Sequence, residues 1–416
     1  MGNTFNPRAG CALHGALATL GAIEGVVPIV HANAGCAMQH HLSRYGGGYI
    51  EGQAVPASNI IDKQVIFGGG ARLREQIKNT AKVLDGHLYV ALGSCECAMV
   101  GDDLTGMARE AVEQGLPAVA SNVAGFQGDI HHGHERVMRD LIDALPEHEP
   151  SAAPHPEDDA RPRVNLLGIF PGADPHYKGD LEEMRRILES IGLRANTLFG
   201  PDGAAALREL PQAALNLVFS RWGEAAAIRL EEKYGTPALI FEAAPVGIEE
   251  VSIFIQTLVE KLDLDAAAAE RFLEREEALA DYFLLGVPDR HFDEAAGKTV
   301  AIVADTGTAL RIGGFLARFF GADIAVAILT DCAGDEKLPD GLAREVRASR
   351  DTGEIAAIIA TSGADIVLGS SLEEPAARAI GARLLPVSHP VLARTIAHKT
   401  YAGLRGALTL TEDYLT

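Results

Sequence analysis

The sequence predicts an α/β protein with three Rossmann-like domains built on parallel sheets. Apolar runs of strand length alternate with amphipathic helical stretches along most of the 416 residues, 47% of which are hydrophobic. Strands that are apolar along their whole length are typical of parallel sheets with helices on both faces. The alternation stops at residues 146–163 and near Gly297, which divides the chain into domains at 1–150, 164–290 and 297–416. A chain of this length can bury a core in each domain.

Three helix–strand pairs predict the first domain. The helix "ALHGALATLGAI" leads to the strand "VVPIVHA", "ARLREQIKNTAKVL" leads to "HLYVAL", and "LTGMAREAVEQG" leads to "PAVASNV". The segment "PEHEPSAAPHPEDDARPR" (146–163) follows them and has almost no apolar periodicity. Its proline and acidic residues predict a linker that closes the domain.

The same alternation predicts the other two domains. The second begins with the strand "VNLLGIF" and the helix "DLEEMRRILESIGL", continues through "LNLVF", "EAAAIRLEEKYG" and "PALIF", and ends in a helix-rich stretch at about 248–285. The third restarts with "KTVAIVAD" and "TALRIGGFLARFFG", followed by "DIAVAILTD", "ADIVLG" and "ARLLPV". In doubly wound sheets the reactive groups gather beyond the carboxyl ends of the strands.

The composition excludes several classes of partner. There are 57 acidic and 36 basic side chains, and a net charge of -21 opposes binding to nucleic acid or to an anionic membrane surface. Five cysteines without a basic and apolar leader predict a cytoplasmic protein rather than a disulfide framework. No run of 18 apolar residues is present, so we expect no membrane-spanning helix.

Three of the cysteines are predicted at equivalent turns of the first domain. Cys36 follows the strand "VVPIVHA", and Cys95 follows "HLYVAL" after Gly93 and Ser94, so both are expected at one edge of one sheet. Cys11 comes just before the first helix, where free N–H groups and the helix dipole favour a thiolate. Each cysteine alone could be a small buried apolar residue. Three together favour a metal centre.

An iron–sulfur cluster fits these thiols better than structural zinc does. The sequence has no CxxC pair and no zinc-ribbon spacing, whereas structural zinc takes four ligands that arrive in close pairs. Sulfur ligands at glycine-flanked turns are typical of iron–sulfur clusters. Three thiols do not complete an ordinary cluster, so we expect the remaining ligands to come from a second subunit.

Two stretches resemble the cluster-binding half of nitrogenase component 1 and its relatives. They are "GCALHGALATLGAIEGVVPIVHANAGC", which contains Cys11 and Cys36, and "SCECAMVGDDL", which contains Cys95. Further similarity lies, in order, in "VIFGGGARLREQI", "AGFQGDIHHGHE", "LNLVFSRWGEAAAIRLEEKYGTP", "GKTVAIVAD" and "ADIVLGSS". The resemblance covers nearly the whole chain and implies three Rossmann-like domains.

The resemblance also implies a cofactor and two partners. Cys11, Cys36 and Cys95 would supply half the ligands of an iron–sulfur cluster, P-cluster-like 8Fe-8S or 4Fe-4S, shared with a homologous alpha-type subunit in an α2β2 assembly. The cluster would relay electrons from an ATP-dependent 4Fe-4S reductase, similar to Fe protein, to a catalytic cofactor in the alpha-type subunit. Cys97 is a further candidate ligand, but neighbours along an extended segment point apart, so we expect it to pack inside the protein.

The chain departs from the family pattern at informative positions. Phe219 and Ser220 follow "LNLV", where cofactor-bearing subunits have a cysteine, and this predicts a beta-type subunit. Gly125 stands where the beta subunit of nitrogenase has a serine able to bind the oxidised cluster. The resemblance therefore does not imply redox-linked ligand exchange there. Cys332 matches no family ligand, so we expect it to be structural.

Among the enzymes of this family, the short segment before Cys11 favours a nitrogenase-like reductase over nitrogenase itself. Our first hypothesis is methylthio-alkane reductase, which cleaves carbon–sulfur bonds in small thioethers. The alternative is the scaffold that matures the nitrogenase cofactor. A tetrapyrrole reductase fits less well, because "GDDL" and "GFQG" resemble the nitrogenase branch. No residue identifies the substrate.

Two other classes of protein stay open. The glycine-rich stretches "FGGGARL" and "DTGTALRIGG" would suit a non-catalytic nucleotide or sugar binder, but neither gives GxGxxG between a strand and a helix, nor GxxxxGK[ST]. A structural partner subunit with an empty site is the other class. Visible absorption of anaerobically purified protein separates them, because only the cluster hypothesis requires a brown, iron-containing protein.

Polar residues near the cysteines have predicted roles of their own. His131, His132 and His134 are expected in one solvated loop, with metal binding or proton transfer as the alternative. The same alternatives apply to His40 and His41, which follow Cys36. His31 is expected to be a hydrogen-bonded core residue. Asp102 and Asp103 are expected to cap the following helix rather than to bind metal.

Overall fold

The protein is described by a computed structural model that covers residues 8–42, 55–146, 161–332, 341–392 and 394–416. In these residues the strands form three parallel sheets connected by helices, which confirms the predicted α/β fold class. No helix in the described ranges combines the length and the apolar character needed to cross a membrane.

The first sheet has the order β1-β2-β3, the second β5-β4-β6-β7 and the third β10-β9-β8-β11-β12. The strands are β1 (Val26–His31), β2 (Leu88–Gly93), β3 (Ala118–Asn122), β4 (Arg163–Leu167), β5 (Arg194–Asn196), β6 (Leu215–Val218), β7 (Ala238–Ile240), β8 (Thr299–Ala304), β9 (Asp323–Leu329), β10 (Glu345–Ala348), β11 (Ile366–Gly369) and β12 (Arg383–Pro386).

The helices connect the strands and add a C-terminal layer. They are α1 (Ala12–Gly21), α2 (Ala34–Leu42), α3 (Asp62–Phe67), α4 (Gly70–Val83), α5 (Cys95–Val100), α6 (Leu104–Glu113), α7 (Ile130–Ala144), α8 (Tyr177–Ser190), α9 (Gly203–Glu209), α10 (Glu224–Tyr234), α11 (Gly247–Leu262), α12 (Ala266–Leu284), α13 (Asp289–Ala295), α14 (Thr306–Phe320), α15 (Thr352–Ser362), α16 (Glu374–Ala379) and α17 (Gly403–Leu415).

Four of the five strands of the third sheet contribute to two cores, one on each face, whereas the edge strand β10 contributes to one. In β8, Val300 and Ile302 pack in one apolar cluster, whereas Ala301 and Val303 pack in another. Successive side chains of a strand point to opposite faces, so an unbroken apolar run can bury both. The first sheet is built in the same way, with Val90 and Leu92 in the largest core and Tyr89 and Ala91 in a smaller one.

The structure differs from the predicted elements at several positions. Helix α7 occupies the histidine-containing stretch that was expected to be a loop. Strands β5 and β10 and helix α3 were not predicted, because three to six residues carry too little periodicity to be recognised. Most of the predicted linker, residues 147–160, lies outside the described ranges. The domain boundaries at 150, 164, 290 and 297 stay a prediction.

Candidate metal centre

The register of the first sheet places two cysteines at neighbouring strand ends. His31, Gly93 and Asn122, the last residues of β1, β2 and β3, lie side by side in the parallel pairing. Cys36 lies in α2, just after β1, and Cys95 is the first residue of α5, just after β2. Both therefore lie at the carboxyl edge of one sheet, as the sequence predicts.

Cys11 and Cys95 meet at Gly125, which follows β3. The Gly125 N–H donates a hydrogen bond to Cys95 Sγ, with 3.1 Å between nitrogen and sulfur. A Cβ placed on Gly125 would lie 3.3 Å from Cys95 Sγ and 3.5 Å from Cys11 Sγ. A side chain at residue 125 would therefore occupy the space that both sulfur atoms face. Glycine leaves that space free and lets its backbone donate to sulfur.

Cys36 is held by a polar bridge between α2 and α5. Asn33 precedes α2, and its Oδ1 accepts a hydrogen bond from the Cys36 N–H at 2.9 Å. The Asn33 N–H donates to Glu96 Oε2 at 3.0 Å, and the Asn33 amide also donates to Glu96 Oε1. Since Glu96 is the chain neighbour of Cys95, this bridge fixes the Cys36 turn against the Cys95 turn.

The thiols influence one another electrostatically. Burial, together with the charges of Glu96, Cys95 and Cys11, raises the pKa of the Cys36 thiol to about 11. Burial also raises the pKa of Cys11, with an added contribution from Cys95, although hydrogen bonds to the backbone of His14 and Leu13 lower it. Three thiolates in such proximity repel one another. The positive charge of a bound metal would offset that repulsion and keep the thiols deprotonated.

Cys97 packs inside the protein, as expected, but it does so on a helix and not on an extended segment. The predicted extended segment is helix α5, and in it Cys97 is buried. Its Sγ donates to the carbonyl oxygen of His31 at 2.8 Å. The ligand atoms of His31, Cys97 and Asp102 lie within 4.8 Å of one another. That group is already a hydrogen-bonded network, so its geometry favours packing over a metal site.

His31 uses both ring nitrogens in this network. Nδ1 lies 2.8 Å from Ser58 Oγ, and Nε2 lies 3.1 Å from Asp102 Oδ2. Burial lowers the pKa of His31 despite the opposing hydrogen bond and charge of Asp102. These contacts confirm that His31 is a satisfied core residue.

The two aspartates after Cys97 have separate roles. Asp103 caps α6, accepting a hydrogen bond from the Gly106 N–H at 2.8 Å. Asp102 does not cap a helix; it accepts from the Gly69 N–H at 2.6 Å and pairs with His31. The expectation for Asp103 is therefore confirmed and that for Asp102 is wrong, because a buried histidine and the start of α4 compete for its carboxylate.

The histidine stretch is the first turn of α7, not a solvated loop. His131 and His134 are buried, and His132 is half-buried. His134 Nδ1 lies 2.8 Å from Thr19 Oγ1 of α1, and the His131 ring stacks on Trp222 at 4.2 Å between centroids. These rings pack between elements and are not presented to solvent. The side chains of His40 and His41 lie outside the described part of the structure.

The two residues that follow β6, and Cys332, which is expected to be structural, are all buried. Phe219, after β6, packs its ring against Phe241 and Phe254. The Ser220 hydroxyl donates to the Gly168 carbonyl oxygen. Cys332 is buried beside Thr306, with 3.3 Å between sulfur and hydroxyl oxygen.

Sequence reasoning missed several residues that shape the centre. Asn33 carries a recognisable signal, because an asparagine before a helix that contains Cys36 at its third residue is a typical N-cap. Arg8 holds the segment that contains Cys11, and Asp129 holds the segment that contains Gly125, but their partners are Glu373 and Arg350. No local pattern could reveal contacts across more than 200 positions of chain.

The chain matches known proteins over almost its full length. Residues 11–416 match the family model described as nitrogenase component 1 type oxidoreductase. The nitrogenase molybdenum-iron protein beta chain of Bradyrhizobium diazoefficiens is 22% identical, over 97% of this chain and 82% of that protein. The nitrogenase iron-molybdenum cofactor biosynthesis protein NifN of Rhizobium meliloti is 26% identical, over 93% of this chain and 88% of that protein.

A solved structure agrees with the sequence comparisons. The structure of nitrogenase Cp1 at pH 6.5 has a TM-score of 0.80 and 18% identity, covering 99% of this chain and 93% of that one. At 18% identity the structural similarity establishes the fold alone. Membership of the family rests on the match of the sequence to the family model. The chain therefore belongs to the nitrogenase component 1 type oxidoreductase family, as an oxidoreductase subunit similar to its beta chains.

Proposed function

We propose that this chain is the beta-type subunit of a nitrogenase-like reductase and that Cys11, Cys36 and Cys95 hold half of an iron–sulfur cluster shared with an alpha-type subunit. The observation that carries the proposal is the convergence of Cys11 and Cys95 on Gly125, beside the turn of Cys36. When bound, the cluster would supply one-electron transfer between a reductase and a cofactor in the partner.

The residues present fit such a group. All three thiols lie at or near helix starts, because Cys11 precedes α1, Cys95 begins α5 and Cys36 lies in the first turn of α2. Helix N-termini stabilise negative charge on sulfur. The Gly125 N–H supplies a hydrogen bond to the Cys95 sulfur, the kind of contact that tunes cluster potential. Three thiols leave further ligands to a partner, which supports a shared cluster.

The surface around the cysteines supports an interface with that partner. Met38 in α2 is 59% exposed, Met99 in α5 is 80% exposed, and Phe126, next to Gly125, is 63% exposed. Ile66 and Phe67 in α3, a helix that packs against α5, are also exposed. Large apolar side chains beside each cysteine turn are typical of a surface that a partner covers. Covering it would also exclude water from the thiols.

The environment of Phe219 supports a cofactor held by the partner and not by this chain. The family resemblance puts the cofactor cysteine of the other subunit type at the end of β6, where this chain has Phe219 in a cluster of aromatic rings. The phenyl side chain offers no metal ligand. We therefore assign the catalytic cofactor to an alpha-type subunit in an α2β2 assembly, and electron delivery to an ATP-dependent 4Fe-4S reductase. We propose a cytoplasmic location for the complex.

For the substrate we propose a small thioether, as in methylthio-alkane reductase. This assignment rests on the sequence resemblance and not on a contact in the structure. The second candidate is a cofactor-maturation scaffold, favoured by the 26% identity to a cofactor biosynthesis protein. The complete complex, supplied with reductase and ATP, should release methane and methanethiol from dimethyl sulfide. A complex that instead passes its cofactor to cofactor-free nitrogenase and leaves dimethyl sulfide intact would support the scaffold.

Cysteine substitutions test the ligand assignment. We expect Cys36→Ala and Cys95→Ala to lower the iron content of the anaerobically purified complex and to abolish turnover, because each removes a ligand. The third sheet should stay folded. Cys97→Ala and Cys332→Ala are matched controls that remove a buried thiol elsewhere, and they should keep the wild-type iron content. Wild-type iron in both the Cys36 and the Cys95 variants would refute the assignment.

A further inference from the structure

Two short segments bring Cys11 and Gly125 together, and they are joined by backbone hydrogen bonds. We call residues 8–11 the Cys11 segment and residues 125–129 the Gly125 segment. The Ala12 N–H donates to the Gly128 carbonyl oxygen, and the Ile130 N–H donates to the Ala9 carbonyl oxygen, each at 3.0 Å. Any displacement of one segment therefore moves the other.

The Cys11 segment is tied to the third sheet by a buried ion pair. Arg8 Nη2 lies 2.5 Å from Glu373 Oε1 and donates to Ser370 Oγ at 3.2 Å. Arg8 is 6% exposed and Glu373 is 1% exposed. Glu373 Oε2 also accepts the Ser370 N–H at 2.8 Å, so its carboxylate is fixed at the carboxyl end of β11. Arg8 therefore meets a rigid partner.

The Gly125 segment is tied to the same sheet by an ion pair of opposite polarity. Asp129 Oδ2 lies 2.6 Å from Arg350 Nη1. The Arg350 guanidinium also donates to the carbonyl oxygens of Thr330 at 2.8 Å and Asp331 at 3.2 Å, just beyond β9. The other oxygen of Asp129 accepts from the His131 and His132 N–H groups and so begins α7.

We call the Arg8–Glu373 and Asp129–Arg350 ion pairs the ties. Both lie at the carboxyl edge of the third sheet, the place where an open α/β sheet usually binds a ligand. Here that edge holds two charged side chains from the cysteine region. A buried ion pair adds little net stability compared with apolar packing, but it demands one geometry, and losing one partner leaves a buried charge. This applies most strongly to the buried Arg8–Glu373 pair and less strongly to the half-buried Asp129–Arg350 pair, and both pairs serve position more than stability.

We propose that Arg8 and Asp129 are positioning residues, through which the third sheet sets the position of Cys11 relative to Cys95. The consequence of this positioning for a cluster rests on the proposed function, whereas the positioning of Cys11 by the two ion pairs does not. Without the ties, the joined Cys11 and Gly125 segments would shift together relative to Cys95, and the Cys11 thiol would become accessible. Cys36, which is held through Asn33 and Glu96, would keep its place.

The test compares the reaction of individual thiols in the full-length chain prepared without iron. Iodoacetamide is added to the wild type and to Arg8→Met, Glu373→Gln and Asp129→Asn, and the modified peptides are quantified by mass spectrometry. We expect the rate ratio of Cys11 to Cys36 to rise on the order of tenfold, because the unpaired buried charge opens the segment. Arg8→Lys should restore much of the wild-type ratio.

Matched controls remove an exposed ion pair with the same chemical change. Arg378→Met breaks the exposed pair with Glu374, and Asp143→Asn breaks the pair with Arg229. Both should leave the ratio unchanged. A wild-type ratio in Arg8→Met and in Glu373→Gln, with both proteins folded by circular dichroism, would overturn the proposal.

A second measurement separates this proposal from the proposed function. In the anaerobic complex, the tie variants should have less iron per chain, or an altered electron paramagnetic resonance signal of the reduced cluster, relative to the two controls. A wild-type complex without iron would refute the cluster assignment, yet the thiol rates would still decide whether the ties position Cys11. Altered thiol rates with wild-type iron and spectrum would show that the ties do not govern the cluster.

Discussion

At the residue scale, burial decides the charge of His134. The ring is enclosed between α1 and the aromatic side chain of Phe170, 4.4 Å away between centroids. Burial, with a smaller contribution from the charge of His131, lowers the pKa of His134 to about 3. The ring is therefore neutral in the folded chain at any pH near neutrality, and it serves as a hydrogen-bond partner of Thr19.

This shift predicts how stability depends on pH. Between the ordinary value of 6.5 and about 3, the unfolded chain binds a proton at His134 that the folded chain does not. Stability must fall as pH falls through this range. His134→Gln removes that contribution, which is about 2 kcal/mol at pH 5. The measurement is the urea midpoint, the concentration at which half of the protein is unfolded. Lowering the pH from 7 to 5 should therefore reduce this concentration less in the variant than in the wild type.

The control is His87→Gln, which changes an exposed histidine just before β2. It should show the wild-type dependence on pH. An equal loss of midpoint in the His134 variant and the wild type would contradict the buried, neutral state of this ring.

At the element scale, the centre depends on the close approach of α1 and α7. A Cβ on Gly15 would lie 1.8 Å from the carbonyl oxygen of Ile130, and a Cβ on Gly133 would lie 1.8 Å from that of Ala12. The two helices thus touch backbone to backbone at their first turns. Cys11 immediately precedes α1, and Asp129 immediately precedes α7. The glycines therefore bring the Cys11 segment and the Gly125 segment together.

Alanine at either position should separate the two helices. We expect Gly15→Ala and Gly133→Ala to lower the free energy of unfolding by about 1–3 kcal/mol or more, since backbone must move to admit the methyl group. Thermal midpoint and iron content should both fall. Gly70→Ala, in a helix where the nearest atom would be 3.8 Å away, is the matched control. Wild-type iron in both crowded variants would contradict the role given to this contact.

The elements differ in how far the sequence could predict them. Apolar strands such as β8 and amphipathic helices such as α14 were predicted nearly to their ends, because burial on one or both faces leaves a clear period. Helix α7 was missed because three of its first five residues are histidines, two of which are buried against other elements. The capping residue Asp129 was the available signal, followed by Val137, Met138, Leu141 and Ile142 in helical spacing.

At the scale of the whole molecule, the thiols were predictable and their supports were not. The position of Cys11 before α1, and the positions of Cys36 and Cys95 beyond the carboxyl ends of β1 and β2, follow from local pattern and from the parallel sheet. The ties from Arg8 to Glu373 and from Asp129 to Arg350 join the two ends of the chain. Such contacts depend on how the first and third sheets pack, which no sequence window contains.

The arrangement of the whole molecule supports the proposal that a partner completes the centre. Cys36 and Cys95 lie at the carboxyl edge of the first sheet, and Cys11 lies just before α1. The third sheet is ion-paired to the Cys11 and Gly125 segments, and exposed apolar side chains surround the turns. Those exposed side chains would be costly to leave in water, and a partner that covers them would bring the missing ligands. The central claim is therefore that thiols from three separate turns bind one iron centre at an interface.

Anomalous diffraction at the iron edge, from crystals of the complex grown without oxygen, tests this claim most directly. We predict a compact iron peak within bonding distance of Sγ of Cys11, Cys36 and Cys95, at the contact with the alpha-type subunit. An intact complex with no iron signal near these thiols, or with iron bound to fewer than two of them, would contradict it.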